Sequence, residues 1–287
     1  MKRIGFIGMG RMGIPISIRI SRSFPITAVF NRTRKKIPEE FRKVSREGVD
    51  SVPSEVDIIF MIVTDSKASS EILNQLINGG KCQGKIVVDM STVSYEQSME
   101  NHGIAEKEGV EYMDCPVIGS VPAAQAGNLA ASCGGSEKVF HEIRDILKTF
   151  TARQIYAGGP GNGIAMKLVN NLIMGVNMVA LSEGMSLSRA MGIRDDTFIE
   201  AVQSGGAASK ILDLKGEKLK NRDFSAQFLL AHQFKDLNYA IELQKKLGLP
   251  DFISSIADSI YSQVMPDHSE EDMSAVIEFF TKKKKDE

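Results

Sequence analysis

Seven short apolar runs recur over about the first 157 residues and then stop: RIGFIG, ITAVFN, VDIIFMIV, KIVVDMS, YMDCPVIG, LAASCGG and RQIYAG. Several are nearly continuous in Ile and Val, as strands buried on both faces must be. Between the earlier runs lie segments of helical character, SKASSEILNQLI and SYEQSMENHGIAEKEG. SEKVFHEIRDILKTF adds a helical period behind a Ser-x-x-Val start. Strand alternating with helix implies the α/β class, with a doubly wound, mostly parallel sheet. After Gly158–Gly163 (GGPGNG) the strand signals cease. The stretch from Ile164 to Gly192 holds no proline and is rich in Met, Leu and Ala. A helix of that length covers roughly 40 Å, enough to leave one domain and enter another. Further helices are expected near 195–204, 234–247, 250–265 and 272–281, so the second half reads as all-α.

Bulk properties narrow the function classes. A chain of 287 residues suits two domains. With 43% hydrophobic and 25% charged residues its composition is ordinary for a globular protein. A net charge of -1 offers no field for nucleic acid or a membrane surface. Cys82, Cys115 and Cys133 form no CxxC pair, and their odd number suits a reducing compartment better than a disulfide framework. The chain enters a strand pattern at once, without a charged-then-apolar leader. No apolar run reaches the ~18 residues of a membrane helix. The expectation is a cytoplasmic protein. KKKKDE, at 282–287, reads as a solvated tail.

Gly8-x-Gly10-x-x-Gly13 lies between the strand RIGFI and a helix start, with ITAVFN following. In such a βαβ setting the glycines allow a tight turn and bring the backbone of Gly8, Met9, Gly10, Arg11 and Met12 to a pyrophosphate. The helix N-terminus adds its positive end. The competing reading is a glycine turn with a structural role only. An acidic residue at the end of the second strand would hold both ribose hydroxyls and repel a 2′-phosphate. Here Asn31 stands in that place, followed by Arg32, Thr33, Arg34, Lys35 and Lys36. Arg32 can offer a planar fork to a phosphate, Thr33 a hydroxyl, and Arg34 or Lys35 further charge. The cofactor expected is NADP(H); the alternative is a solvated basic loop.

A dinucleotide reductase needs a proton donor beside the carbonyl. Of four histidines, His102 and His141 sit in surface-looking helices, His268 in an acidic loop (PDHSEED), and His232 in FLLAHQFKD. None is spaced for metal binding and no G-x-S-x-G elbow occurs, so neither a metal site nor a serine hydrolase is expected. Lys167, in GNGIAMKLVNNL, is the better candidate. It begins the long interdomain helix behind a Gly-rich hinge, where a cleft would form, with Asn170 and Asn171 at i+3 and i+4. Its ammonium can protonate a developing alkoxide, and Asn171 can hold the lysine or the substrate. Most lysines are solvated, which is the rival reading.

Taken together, GFIGMGRMGIPIS, VDMSTVS, DCPVIGSVPAAQAGNLAASCGG, GNGIAMKLVNN and FKDLNYAIE resemble, in this order, the signatures of the β-hydroxyacid dehydrogenase family. The likeness covers nearly the whole chain. FNRT, DMSTV, the GS of PVIGS, FLLAHQFKDL and DMSAVIEFF look like its glyoxylate/succinic semialdehyde reductase branch. The resemblance implies an NADP-binding Rossmann domain at 1–160 and an all-helical substrate and oligomerisation domain at 161–287. It makes Lys167 the general acid/base, assisted by Asn171. It puts Ser91 and Thr92 beside the nicotinamide, with Thr92 also at the substrate, and gives the substrate carboxylate to Gly119 and Ser120. It makes Phe228 a pocket wall, has Asp236 line the site and Lys235 reach the cofactor, and brings the backbone of Val63 and Thr64 to the cofactor. One departure stands out: Ile118 occupies a place where the family usually carries serine. Losing a hydrogen bond to a charged group costs about 1.5–3 kcal/mol of binding, which opens the question of substrate. The implied reaction is NADPH-dependent reduction of small aldehyde-acids. A 3-hydroxyisobutyrate dehydrogenase is the nearest rival. Imine reductases usually replace the lysine, and a non-catalytic oligomerisation module would have lost it. The Leu-, Met- and Ala-rich helices suggest a homodimer or homotetramer.

Overall fold

A computed structural model describes residues 1–281, so the expected tail at 282–287 lies outside the described residues. The chain divides into two compact units, Met1–Lys167 and one that begins at Leu168. The first holds a single sheet of eight strands: β1 (Ile4–Ile7), β2 (Ile26–Phe30), β3 (Ile58–Met61), β4 (Ile86–Asp89), β5 (Glu111–Asp114), β6 (Val117–Ile118), β7 (Leu129–Gly134) and β8 (Thr151–Gly158). Their order is β2-β1-β3-β4-β5-β7-β6, with β8 beside β7. Pairings from β2 to β5 are parallel, as is β7 with β8; β7 is antiparallel to β5 and β6. This is the doubly wound α/β sheet expected. Successive side chains serve opposite faces. Thus Ile58 and Phe60 join Phe6, Ile16, Val88 and Phe140 in one core, while Ile59 and Met61 join Ile7, Leu73, Leu76 and Val87 in the other. Each such burial stabilises by roughly 1.5–3 kcal/mol.

The covering helices are α1 (Gly13–Ser21), α2 (Ser66–Asn78), α3 (Tyr95–Lys107), α4 (Val121–Ala126) and α5 (Glu137–Leu147). Asp65, Ser94 and Ser136 cap α2, α3 and α5 through their side chains. The run YMDCPVIG is not one strand. It breaks at Cys115–Pro116 into β5 and β6, because proline has no N–H for the ladder. The odd cysteine count also conceals a pairing: the free thiols of Cys115 and Cys133 lie 3.2 Å apart in the core.

Helix α6 (Asn162–Ala190) begins in the first unit and continues into the second, followed by α7 (Asp195–Gln203), α8 (Lys210–Asn221), α9 (Leu230–Lys246) and α10 (Phe252–His268). Among the described residues the second unit has no strand, only an isolated bridge between Leu229 and Asp272. Helix α8 is not among the helices expected from the sequence, because its polar KGEKLK stretch masks the buried face of Ile211, Leu212 and Leu219. Its start signal was present, since Ser209 Oγ accepts the Leu212 N–H at 3.2 Å. The segment expected as a helix at 272–281 is 3-10 over Met273–Phe280. With buried residues running consecutively from Met273 to Ile277, no helical period separates the two forms. His268 closes α10 instead of lying in a loop. Among the described residues, α6 is the one helix whose length and composition would suit a membrane crossing, contrary to expectation. Its Met178, Val179, Leu181 and Met185 instead pack with Leu237, Ile241, Tyr261 and Val276, as a core helix does.

One buried ion pair organises the second unit. The Asp272 carboxylate accepts from Lys215 Nζ at 2.8 Å, from the N–H groups of Gln227 (2.9 Å) and Phe228 (3.1 Å), and from the Ser274 hydroxyl at 2.9 Å. Asp272 N–H donates to Phe224 O and Met273 N–H to Phe228 O, so segment 224–228 is pinned to the 3-10 turn. Burial pushes the Asp272 carboxyl up, but the Lys215 charge and the backbone donors outweigh it and hold it below the usual carboxylate range. Lys215→Met, which leaves the carboxylate without its cation, should cost about 3–5 kcal/mol in urea unfolding. The pair's stabilisation is complete above the unfolded carboxylate value, about pH 4, and fades as pH falls through the lower folded value. Acid should therefore erode the stability of Asp272→Asn less steeply than that of the parent protein.

Candidate active site

The Gly-rich turn joins β1 to α1. Gly8 has φ +97°, and a Cβ there would lie 2.0 Å from the Ile62 carbonyl oxygen. A Cβ at Gly13 would lie 1.8 Å from Gly8 O. Both glycines are demanded by the protein's own backbone. Gly10 is different: a Cβ there meets nothing within 4 Å. A glycine that packing does not require is what the close approach of a pyrophosphate would require. The turn therefore fits a dinucleotide. Asn31, at the end of β2, receives the Met9 N–H on Oδ1 at 2.9 Å and donates Nδ2 to Thr33 O at 2.8 Å. It ties the glycine turn to the basic loop, and an aspartate could not make the second bond. Arg32, Thr33, Arg34, Lys35 and Lys36 are exposed. Arg34 pairs with exposed Glu47 at 3.2 Å, a contact of small energetic weight.

Parallel neighbours β1, β3 and β4 bring three loops to one edge of the sheet. Val63, just beyond β3, donates its N–H to Ser91 Oγ at 2.8 Å. Ser91 N–H donates to Asp89 Oδ1 at 2.8 Å, and Asp89 Oδ2 receives the hydroxyls of Ser69 (2.5 Å) and Tyr112 (2.8 Å). Burial pushes the Asp89 carboxyl up against these donors. Thr64 Oγ1 donates to Asp65 Oδ2 at 2.8 Å, and Thr92 follows Ser91 half-buried. Val63, Thr64, Ser91 and Thr92 thus share the carboxyl edge of the strands with Gly8, Met9, Gly10, Arg11 and Met12, where ligands bind in open α/β sheets. Beyond β6, Gly119 has φ +139°, and a Cβ there would approach Leu129 Cδ2 to 2.6 Å. Ser120 precedes α4, and its side chain makes no cap hydrogen bond.

Lys167 is 6% exposed, which excludes the solvated reading. It stands in the second turn of α6. The first turn is held by Asp114, whose Oδ1 accepts the Gly161 N–H (3.0 Å) and Oδ2 the Ile164 N–H (2.8 Å). His102 Nε2 lies 2.6 Å from Asp114 Oδ1 and is the donor, since an ionised carboxylate only accepts. His102 is not a surface residue: its side chain is 11% exposed. His141 remains largely exposed. The sequence alone puts His102 on a surface-looking helix and marks no role for Asp114. Asp114 heads the DCPVIGS motif, but its partners lie 12, 47 and 50 residues away along the chain.

One turn beyond Lys167, buried Asn171 donates Nδ2 to Asp236 Oδ2 at 2.6 Å. Lys235 Nζ reaches Asp236 Oδ1 at 2.7 Å and lies 4.6 Å from the centre of the Tyr239 ring. Asn170 Nδ2 donates to Asn171 Oδ1 at 2.9 Å, and Gln233 Nε2 to Asn171 O at 2.9 Å. Asn171, Lys235 and Asp236 therefore form one hydrogen-bonded group. Phe228 is anchored separately, its backbone on Asp272 and its ring 6.1 Å from that of His232.

A family profile described as the NAD binding domain of 6-phosphogluconate dehydrogenase matches residues 3–159. A second, described as the NAD-binding of NADP-dependent 3-hydroxyisobutyrate dehydrogenase, matches 161–280. 2-(Hydroxymethyl)glutarate dehydrogenase of Eubacterium barkeri is 32% identical over 286 residues, covering 96% of this chain and 93% of that one. The chain belongs to the β-hydroxyacid dehydrogenase family. It is a nicotinamide-dependent oxidoreductase acting on CH–OH groups. Other members it resembles are 2-hydroxy-3-oxopropionate reductase of Escherichia coli K12 (31%, 86% of each chain) and glyoxylate/succinic semialdehyde reductase 2 of Arabidopsis thaliana (30%, 96% of this chain and 78% of that one). The fold is that of Mycobacterium tuberculosis 3-hydroxyisobutyrate dehydrogenase, with a TM-score of 0.91 at 24% identity over 98% of this chain and 100% of that one.

Two glycine substitutions separate structure from binding. Gly8→Ala should lower the melting temperature, because the Cβ has no room and φ is positive. Gly10→Ala should leave melting unchanged and weaken dinucleotide binding by calorimetry.

Proposed function

We propose that this β-hydroxyacid dehydrogenase reduces small aldehyde-acids of the glyoxylate and succinic semialdehyde type with NADPH. The observation that carries the reading is buried Lys167 with Asn171 one turn on, locked by Asp236. A bound reduced nicotinamide supplies the hydride. Lys167 gives its proton to the carbonyl oxygen as that oxygen gains charge, and takes one back in the reverse, oxidising direction. Asn171 is fixed by a charge-assisted bond, so its place relative to the lysine is set before substrate arrives. Gly119, through its N–H, and Ser120, through its hydroxyl, receive the substrate carboxylate. Thr92 and Asp236 complete the polar contacts and Phe228 supplies an apolar one. Val63, Thr64 and Lys235 serve the cofactor.

The preference for the 2′-phosphorylated cofactor rests on Asn31 in place of an acid and on the exposed cations Arg32, Arg34 and Lys35, with Thr33 adding a hydroxyl. The profile matching 161–280 carries an NADP-dependent dehydrogenase in its description, which supports the same choice. Ile118, half-buried on β6, favours a second reading in which a more apolar hydroxyacid, such as 3-hydroxyisobutyrate, is the substrate. We also propose a cytoplasmic homodimer or homotetramer. Exposed Phe252, Ile253 and Ile256 on one end of α10 support association.

Lys167→Ala should lower kcat by about 10²–10⁴-fold and leave NADPH binding intact; a near-normal kcat would remove the lysine from the mechanism. Arg32→Ala should cut kcat/KM for NADPH about tenfold while sparing NADH, and a parent enzyme that prefers NADH would overturn the cofactor choice. Turnover across glyoxylate, succinic semialdehyde and C3–C5 hydroxyacids decides between the two substrates. Light scattering after gel filtration should show a dimer or tetramer.

A further inference from the structure

We infer that Asp114, held by His102, is the positioning residue of the general acid. This inference rests on the assignment of that role to Lys167. Strand β5 ends at Asp114, whose carboxylate is buried and accepts from the Gly161 and Ile164 N–H groups at the start of α6. Those N–H groups have no partner within the helix itself. An ordinary cap comes from the residue just before a helix; here it comes from the central sheet. The contact has no slack. A Cβ on Gly163 would lie 2.4 Å from Asp114 O and 2.7 Å from Gly134 N, and a Cβ on Gly134 would lie 2.5 Å from Gly163 N. Two glycines therefore let the first helical turn rest directly on the strand ends.

Lys167 follows Ile164 by three residues, so the rotation of that first turn decides where its ammonium points. Downstream of Asp114 the chain turns through Pro116 and β6 to Gly119 and Ser120. One carboxylate thus sets both the helix of the proton donor and the root of the loop proposed to hold the substrate carboxylate. His102 fixes the carboxylate in turn. Its Nε2 donates to Oδ1 at 2.6 Å, and its ring stands edge-on to Tyr112 at 4.8 Å between centroids. Neither Asp114 nor His102 touches the substrate in this scheme.

The test uses the full-length enzyme, NADPH and the most active aldehyde-acid of the panel above. In Asp114→Asn, where the amide must turn an N–H toward a donor, kcat should fall on the order of a hundredfold while the Kd for NADPH is unchanged. Amide exchange across 159–168 should quicken in the same variant. Against Lys167→Ala the substitution should add no further loss of residual turnover, since it acts through the lysine. His102→Phe should lower kcat by about tenfold, and His102→Gln, which keeps a donor, should restore most of it. Normal kcat in Asp114→Asn overturns the inference, as does a full multiplicative loss in the Lys167→Ala background. Should Asp114→Asn not fold, His102→Phe decides: unaltered kcat overturns it. Lys167→Ala that turns over normally defeats the lysine assignment and this inference with it; an inactive Lys167→Ala beside a fully active Asp114→Asn defeats this inference alone.

Discussion

A carboxylate at the end of β5 is the point on which the first unit's chemistry turns. Asp114 joins the last strand of the parallel run to the first turn of α6, and its backbone continues toward Gly119 and Ser120. The bonds it makes satisfy helix N–H groups that would otherwise be buried and unpaired, a cost of about 1–3 kcal/mol each. Without Gly134 and Gly163 the helix could not come near enough to receive them. Backbone proximity comes first, the hydrogen bonds follow from it, and the place of Lys167 follows from both.

The same logic of one side chain serving two loops recurs at Asn31. Its amide accepts from Met9 and donates to Thr33, so the residue that removes an acidic charge also stitches the glycine turn to the basic segment. Ser91 acts likewise, accepting from Val63 while its own N–H is bound by Asp89. Asp236 does so in the second unit, with Asn171 on one oxygen and Lys235 on the other. Asn31 and Asp236 each take two partners on one short side chain, whereas Ser91 uses its hydroxyl for one and its N–H for the other.

Much of this was legible in advance, for local reasons. The near-continuous Ile and Val of β1, β3 and β4 can only be strands covered on both faces, and the glycine spacing marks the turn after the first of them. Lys167 with two asparagines downstream was visible because helical neighbours are close in sequence. What failed was also local. Helix α8 hid behind its lysines, and the run MSAVIEFF at 273–280, with five consecutive buried residues, carries no period that tells 3-10 from α. Proline split one apparent strand into two that pair differently. The membrane-like length and hydropathy of α6 became a core face only once Leu237, Ile241 and Tyr261 were placed against it.

By itself the sequence determined the class of fold, the dinucleotide turn, the basic segment behind Asn31 and the identity of the buried lysine's helix. These depend on periodicity and on residues a few positions apart. Only the tertiary structure decided that His102 is buried on Asp114, that Asp114 caps α6, that Lys215 neutralises Asp272, and that Asp236 holds Asn171. Those pairs are separated by 12, 47, 57 and 65 residues, and no local propensity encodes a contact across such spans. They form because the folded chain leaves each carboxylate no water to bind, so it must take whatever donors the packing brings to it.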